Sequence, residues 1–108
     1  MADMKRTNLA RFDLVSMRLA VECAERGSLS AAARVLHCSI STASYRLCAL
    51  EDTLGTELFV RDHEGLRITR PGRVFVRHAN AVLKEIELME AMVRHAGPES
   101  ESSPEEVS

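Results

Sequence analysis

A chain of 108 residues, 45% hydrophobic and 28% charged, has the size and balance of one globular domain. Its four aromatics, Phe12, Tyr45, Phe59 and Phe75, are too few for a stacking platform on single-stranded nucleic acid. No apolar run approaches the roughly 18 residues of a membrane span, and residues 1–11 lack the hydrophobic centre of a secretory signal.

The net charge of −2 hides a division. Residues 1–80 carry twelve Lys and Arg against nine Asp and Glu, whereas residues 81–108 carry two against seven. The first part is suited to approach a polyanion and the second to avoid one. Cys23, Cys38 and Cys48 are odd in number and form no C-x-x-C pair, so they read as structural thiols in a reducing cytoplasm. His37, His63, His78 and His95 are scattered surface residues, and no metal site is expected.

Residues 1–11 are polar without a period and read as a flexible arm. The first helix is predicted from an Asp13 N-cap to Arg26, with Leu14, Met17, Val21 and Ala24 as its apolar stripe and Gly27 as its stop. A short second helix follows, capped by Ser30, with Leu29, Ala32, Ala33 and Leu36 on one face and an end at His37 and Cys38. The third helix begins after Ser39 and runs to Leu54, its inward stripe being Ala43, Leu47, Leu50 and Leu54, with Gly55 as C-cap. Two short strands, 57–61 and 66–69, flank the turn Asp62-His63-Glu64-Gly65. Leu58 and Val60 are expected inward on one, Leu66 and Ile68 on the other.

Thr69 caps the last helix and Pro71 sits in its first turn, both favourable there. This helix, assigned to 71–96, carries the strongest period in the chain. Phe75, Ala79, Val82, Ile86, Met89 and Val93 are spaced 4, 3, 4, 3 and 4, a heptad seam. At ~1.5 Å per residue such a helix outruns the body it leaves, so a partner chain is the expected cover and these six residues the expected dimer interface. From Gly97 onward the chain lacks apolar residues to bury, and 97–108 reads as a disordered acidic tail.

Two short helices, a longer one and a two-stranded ribbon make a mainly α, winged helix-turn-helix domain over 12–70, followed by the long helix. Such a domain presents its third helix to the major groove of duplex DNA. On the wheel, Ser41 and Tyr45 point outward with Thr42 beside them, so these are the candidate base-edge contacts. Ser39, Ser44 and Arg46 are placed for phosphates. Of the arginines around the wing, Arg67 and Arg70 are preferred as backbone or minor-groove contacts over Arg61.

With those elements in place, 12–90 resembles the DNA-binding region of LysR-type transcriptional regulators. The resemblance is carried by the runs from Ala24 to Ala33, Leu36 to Ser39, Leu50 to Arg61 and Leu66 to Gly72, and most specifically by Leu58-Phe59-Val60-Arg61. It implies a winged helix-turn-helix with a dimerising linker helix, acting in transcription at partly palindromic sites. Members of the family usually have Gln-Pro where this chain has Ile40-Ser41, often a basic residue at Tyr45, and a basic wing where Glu64 stands. Isoleucine can touch a thymine methyl and tyrosine a phosphate or base acceptor, but neither makes the bidentate contact that glutamine or arginine does. The family's small-molecule-binding domain has no counterpart in these residues, so an inducer is expected only if such a domain follows, as is a higher oligomer.

The expected function is therefore sequence-specific binding of double-stranded DNA as a homodimer, in the bacterial cytoplasm, with no cofactor and no membrane. The rival expectation is an interaction protein that pairs with a related regulator and antagonises its DNA binding. No nucleophile, base and oxyanion donor are arranged for catalysis, so an enzyme is not expected.

Overall fold

The computed structural model describes residues 13–98. The arm of 1–11, the domain start at Phe12 and the tail from residue 99 lie outside them. In chain order the elements are α1 (Leu14–Arg26), α2 (Leu29–Val35), α3 (Ile40–Leu54), β1 (Phe59–Asp62), β2 (Gly65–Ile68) and α4 (Arg70–Ala96).

α1 starts where the Asp13 carboxylate accepts the Ser16 N–H at 2.9 Å and stops at Gly27, whose left-handed backbone returns its N–H to the Cys23 carbonyl. The helix is covered on two sides. Leu19, Ala20 and Cys23 enter the main core with Ala32, Ala33, Ala43, Leu47 and Leu50, while Met17 and Val21 meet Ala79 and Leu83 of α4. The predicted stripe is thus only partly inward. Leu14 is exposed, because a helix packed on both flanks buries its middle turns and leaves its first residue outside.

α2 is capped by Ser28 rather than Ser30. The Ser28 hydroxyl accepts the Ala31 N–H at 3.1 Å, and Ser30 Oγ lies 3.1 Å from the same hydroxyl. Helical bonding already begins with the Ser28 carbonyl, so Ser30 falls inside the first turn. His37 then takes a positive φ of 57°, and Cys38 donates back to the Ala33 carbonyl, which closes the helix and turns the chain into α3. α3 has the predicted bounds, Ser39 and Gly55 being its caps. Ala43, Leu47 and Leu50 are buried, whereas Leu54 at the last turn is exposed.

The wing is one antiparallel pair, with Phe59 opposite Ile68 and Asp62 opposite Gly65. β1 begins later than predicted because the chain before it is tied to α3. The Glu51 carboxylate accepts the Leu58 and Phe59 N–H groups at 2.8 and 3.2 Å. Leu58 and Phe59 are both buried and Val60 faces out, a correction of the expected alternation. Leu58 precedes the ladder and takes its direction from the Glu51 anchor rather than from the pleat.

α4 grows directly out of the wing. The Thr69 N–H donates to the Leu58 carbonyl at 2.9 Å, its hydroxyl donates to the Glu57 carbonyl at 2.7 Å, and the same oxygen accepts the Gly72 N–H. Gly72 is required by this junction: a Cβ there would stand 2.1 Å from the Leu58 carbonyl oxygen. Ala79 and Leu83 then bury against Met17 and Val21, and the Arg18 guanidinium lies 3.6 Å from Glu87. The remaining turns leave the body. Leu88, Met89, Met92 and Val93 are all exposed.

Candidate nucleic-acid interface

The head of α3 is set by its cap. Ser39 Oγ accepts the Thr42 N–H at 3.1 Å and donates to the Thr42 hydroxyl at 3.0 Å, with Ser41 Oγ 3.5 Å away. Beyond this cluster Tyr45 projects into solvent with 75% of its surface exposed, and Ile40 is 53% exposed at the first turn. The buried row Ala43, Leu47 and Leu50 fixes the opposite side, so Ser41, Tyr45 and Cys48 form the outward row. The predicted readers Ser41, Thr42 and Tyr45 therefore share one exposed surface.

The three residues expected at phosphates are engaged within the chain. Ser39 is the cap itself. Ser44 Oγ accepts a hydrogen bond from Arg61 Nη2 at 3.0 Å, and the Arg46 guanidinium lies 3.5 Å from the Asp13 carboxylate. Partial desolvation works to raise the Asp13 carboxyl, but the Ser16 N–H and hydroxyl and the Arg46 charge together hold it below the ordinary carboxylate value. Both contacts are exposed, so each competes with water and with any incoming phosphate.

The arginines of the wing are arranged differently from the expectation. Phe59 and Arg61 share the face of β1 that looks toward α3, since alternate residues of a strand share a face. Arg61 is thereby joined to the α3 surface through Ser44. Arg67 stands opposite Val60 on the other face and pairs with Asp62 at 3.2 Å. Within the chain, then, Arg61 meets α3, whereas Arg67 is held to Asp62 on the opposite face of the ribbon. The spacing could not show this, because the pairing depends on which strand residue faces inward. Arg70 is exposed at the start of α4. It borders an open apolar groove with Leu54, Leu58, Pro71, Val74, Phe75 and His78.

Along α4 the expected seam divides. Ala79 belongs to the contact with α1 inside the chain, and Phe75 is half-buried against the same cores, so neither is a free interface residue. Their helix face meets the body before the helix emerges from it. Ile86 is half-buried, whereas Val82, Met89 and Val93 are exposed. Glu51 was missed altogether from sequence, although it fastens the wing to α3. A lone glutamate in an amphipathic helix gives no sign of a partner seven residues on. Among the described residues no helix is long and apolar enough to cross a membrane, and no group of three or more His, Cys, Asp or Glu could hold a metal ion.

Residues 14–73 match the family model for bacterial regulatory helix-turn-helix proteins of the lysR family. The chain is 48% identical over 60 residues to the HTH-type transcriptional regulator MetR of Salmonella typhimurium, a match covering 56% of this chain and 19% of that protein. It is 43% identical over 63 residues to the regulator PcaQ of Agrobacterium fabrum, covering 58% and 20%. The matched stretch is therefore about a fifth of the length of these curated relatives. In structure it is similar to the CbnR DNA-binding domain solved in complex with DNA, at 30% identity and a TM-score of 0.73, over 78% of this chain and 97% of that one. The BenM DNA-binding domain in complex with catB site 1 DNA aligns at 26% identity and a TM-score of 0.74, over 77% and 93%.

Proposed function

Because the chain belongs to the LysR family of bacterial regulatory helix-turn-helix proteins, we propose that it is a transcription regulator that binds double-stranded DNA sequence-selectively as a homodimer. The observation that carries the reading is the exposed head of α3 with Ser41, Thr42 and Tyr45 on one surface, flanked by the Arg61 wing contact. Solved relatives of the same fold are described in complex with DNA, which supports the placement. Ser39, Ser44 and Arg46 supply phosphate contacts and Arg67 and Arg70 contact the backbone or the minor groove, with Arg61 beside α3 as a further cation; Arg46, Arg61 and Arg67 exchange their exposed internal partners for phosphate oxygens.

Pairing through α4 rests on a different feature. The helix is about 40 Å long at 27 residues, and Val82, Met89 and Val93 are exposed on it beside Leu88 and Met92. A second copy of α4 buries this row and sets two α3 heads at a fixed separation, as a half-repeated site requires. The protein works in the cytoplasm, where such sites are, and uses no catalytic chemistry.

The test is fluorescence anisotropy on a duplex recovered from a randomised library and on its scrambled counterpart, at several salt concentrations. Selective binding that falls steeply with salt is expected. Equal affinity for both duplexes refutes sequence selectivity. Sedimentation at tens of micromolar should show a dimer, and a monomer there refutes the pairing.

A further inference from the structure

The α3 surface has an unusual inventory for a reader of base edges. Arg, Asn and Gln discriminate bases by paired hydrogen bonds in the major groove. Among the fifteen residues of α3 only Arg46 is of this kind, and its guanidinium is turned to Asp13. The hydroxyls nearby already have partners in the free chain: Ser39 donates to Thr42, Ser41 Oγ lies 3.5 Å from Ser39, and Ser44 accepts from Arg61. Apart from the Tyr45 hydroxyl, what the head of the helix offers most of is exposed carbon. The Ile40 side chain and the Tyr45 ring are its two largest exposed groups. Farther along, the Asp52 carboxylate sits on the same outward row and disfavours entry of the later turns near phosphates.

Resting on the DNA-binding reading above, we propose that this surface selects sites by the C5-methyl groups of thymine, with Ile40 and Tyr45 as the specificity-determining contacts. In the major groove a thymine is the only base of ordinary DNA that presents a methyl group, and apolar side chains are its natural partners. Ile40, exposed at the first turn although it lies on the side of Leu47, and Tyr45 on the outward row stand about 7.5 Å apart along the helix axis and roughly 140° apart around it, so they address methyls on separate base pairs. Hydroxyls held in a cap discriminate poorly, since each both donates and accepts. Site preference then follows methyl positions rather than a pattern of guanines.

The probe is the strongest duplex from the randomised library, made with thymine and again with deoxyuridine at every thymine. This exchange removes only the C5-methyl groups and keeps base pairing and the minor-groove edge. Each methyl buried is worth about fourfold in affinity, so a loss of roughly tenfold or more is expected for two contacts. The double variant Ile40→Ala, Tyr45→Ser should bind the two duplexes equally, a readout that simple damage to the fold does not produce. Equal binding of thymine and uracil duplexes by the parent protein overturns the inference and leaves the DNA-binding reading standing. Absence of binding to any duplex at low salt overturns both.

Discussion

Removing the Glu51 carboxylate should loosen the wing more than any other single change on the surface of α3. In the Glu51→Ala variant the Leu58 and Phe59 N–H groups lose their shared acceptor, at 2.8 and 3.2 Å, while both residues remain buried. A hydrogen bond to a charged group contributes about 1.5–3 kcal/mol, and a buried donor left without one costs about 1–3 kcal/mol. Glu51 is itself only half-buried, so water recovers part of the second contact. The expected loss is about 2–4 kcal/mol. In a domain of this size that lowers Tm by about 10 °C or more, measured by circular dichroism at fixed protein concentration, since pairing would otherwise shift the midpoint. Glu51→Gln keeps an acceptor and should lose about 1 kcal/mol. An alanine variant that melts within about 2 °C of the parent refutes the assignment of Glu51 as the wing's anchor.

Met89 is 58% exposed, so Met89→Glu should leave the folded chain intact. It places a carboxylate in the proposed helix pair and should weaken dimerisation at least about a hundredfold; an unchanged sedimentation coefficient at tens of micromolar would count against that face. The Asp13 carboxyl is held below its unfolded value, so its contribution to stability is present above that value and lost as pH falls through the lowered one. Between about pH 5 and 3 the parent should therefore lose stability more steeply than Asp13→Asn, which keeps a capping acceptor; parallel pH curves would refute the role of the charge. Burial pushes the Cys23 thiol up to about 11, partly offset by Arg61 and reinforced by Glu22 and Glu51, whereas Cys48 is exposed. Iodoacetamide at pH 8 should label Cys48 readily and Cys23 only on unfolding, and equal rates at the two positions would contradict the buried setting.

The parts of the fold that rest on local chemistry were legible in the sequence. Asp13, Ser39 and Thr69 cap the helices they were expected to cap, and Gly27 and Gly55 end theirs, because a cap is decided within three or four residues. One error is local and the others originate in contacts across the chain. Ser30 and Ser28 are similar hydroxyls two residues apart, and it is the Ala31 bond to Ser28 and the start of helical bonding at the Ser28 carbonyl that make Ser28 the cap. Val60 was expected inward by strict alternation, but Glu51 pulls Leu58 and Phe59 in together. Ala79 fitted a heptad, yet α1 covers it before any partner can. At the candidate interface the outward row of α3 followed from helical period alone. The partners of Arg46, Arg61 and Arg67 did not, because each ion pair or hydrogen bond depends on strand facing or on a distant cap.

Thr69 ends the ribbon and caps the long helix at once, and Gly72 lets that helix press against the Leu58 backbone without a spacer. Since α1 grips the same helix farther along, through Val21 and through the Arg18–Glu87 contact, there is no hinge between the head and the shaft. In the proposed pair, each head would therefore keep a fixed angle to its own shaft before any duplex is met. If the proposed function holds, a duplex whose half-sites did not suit that fixed geometry would have to bend to meet it, and its stiffness would become part of what the protein senses.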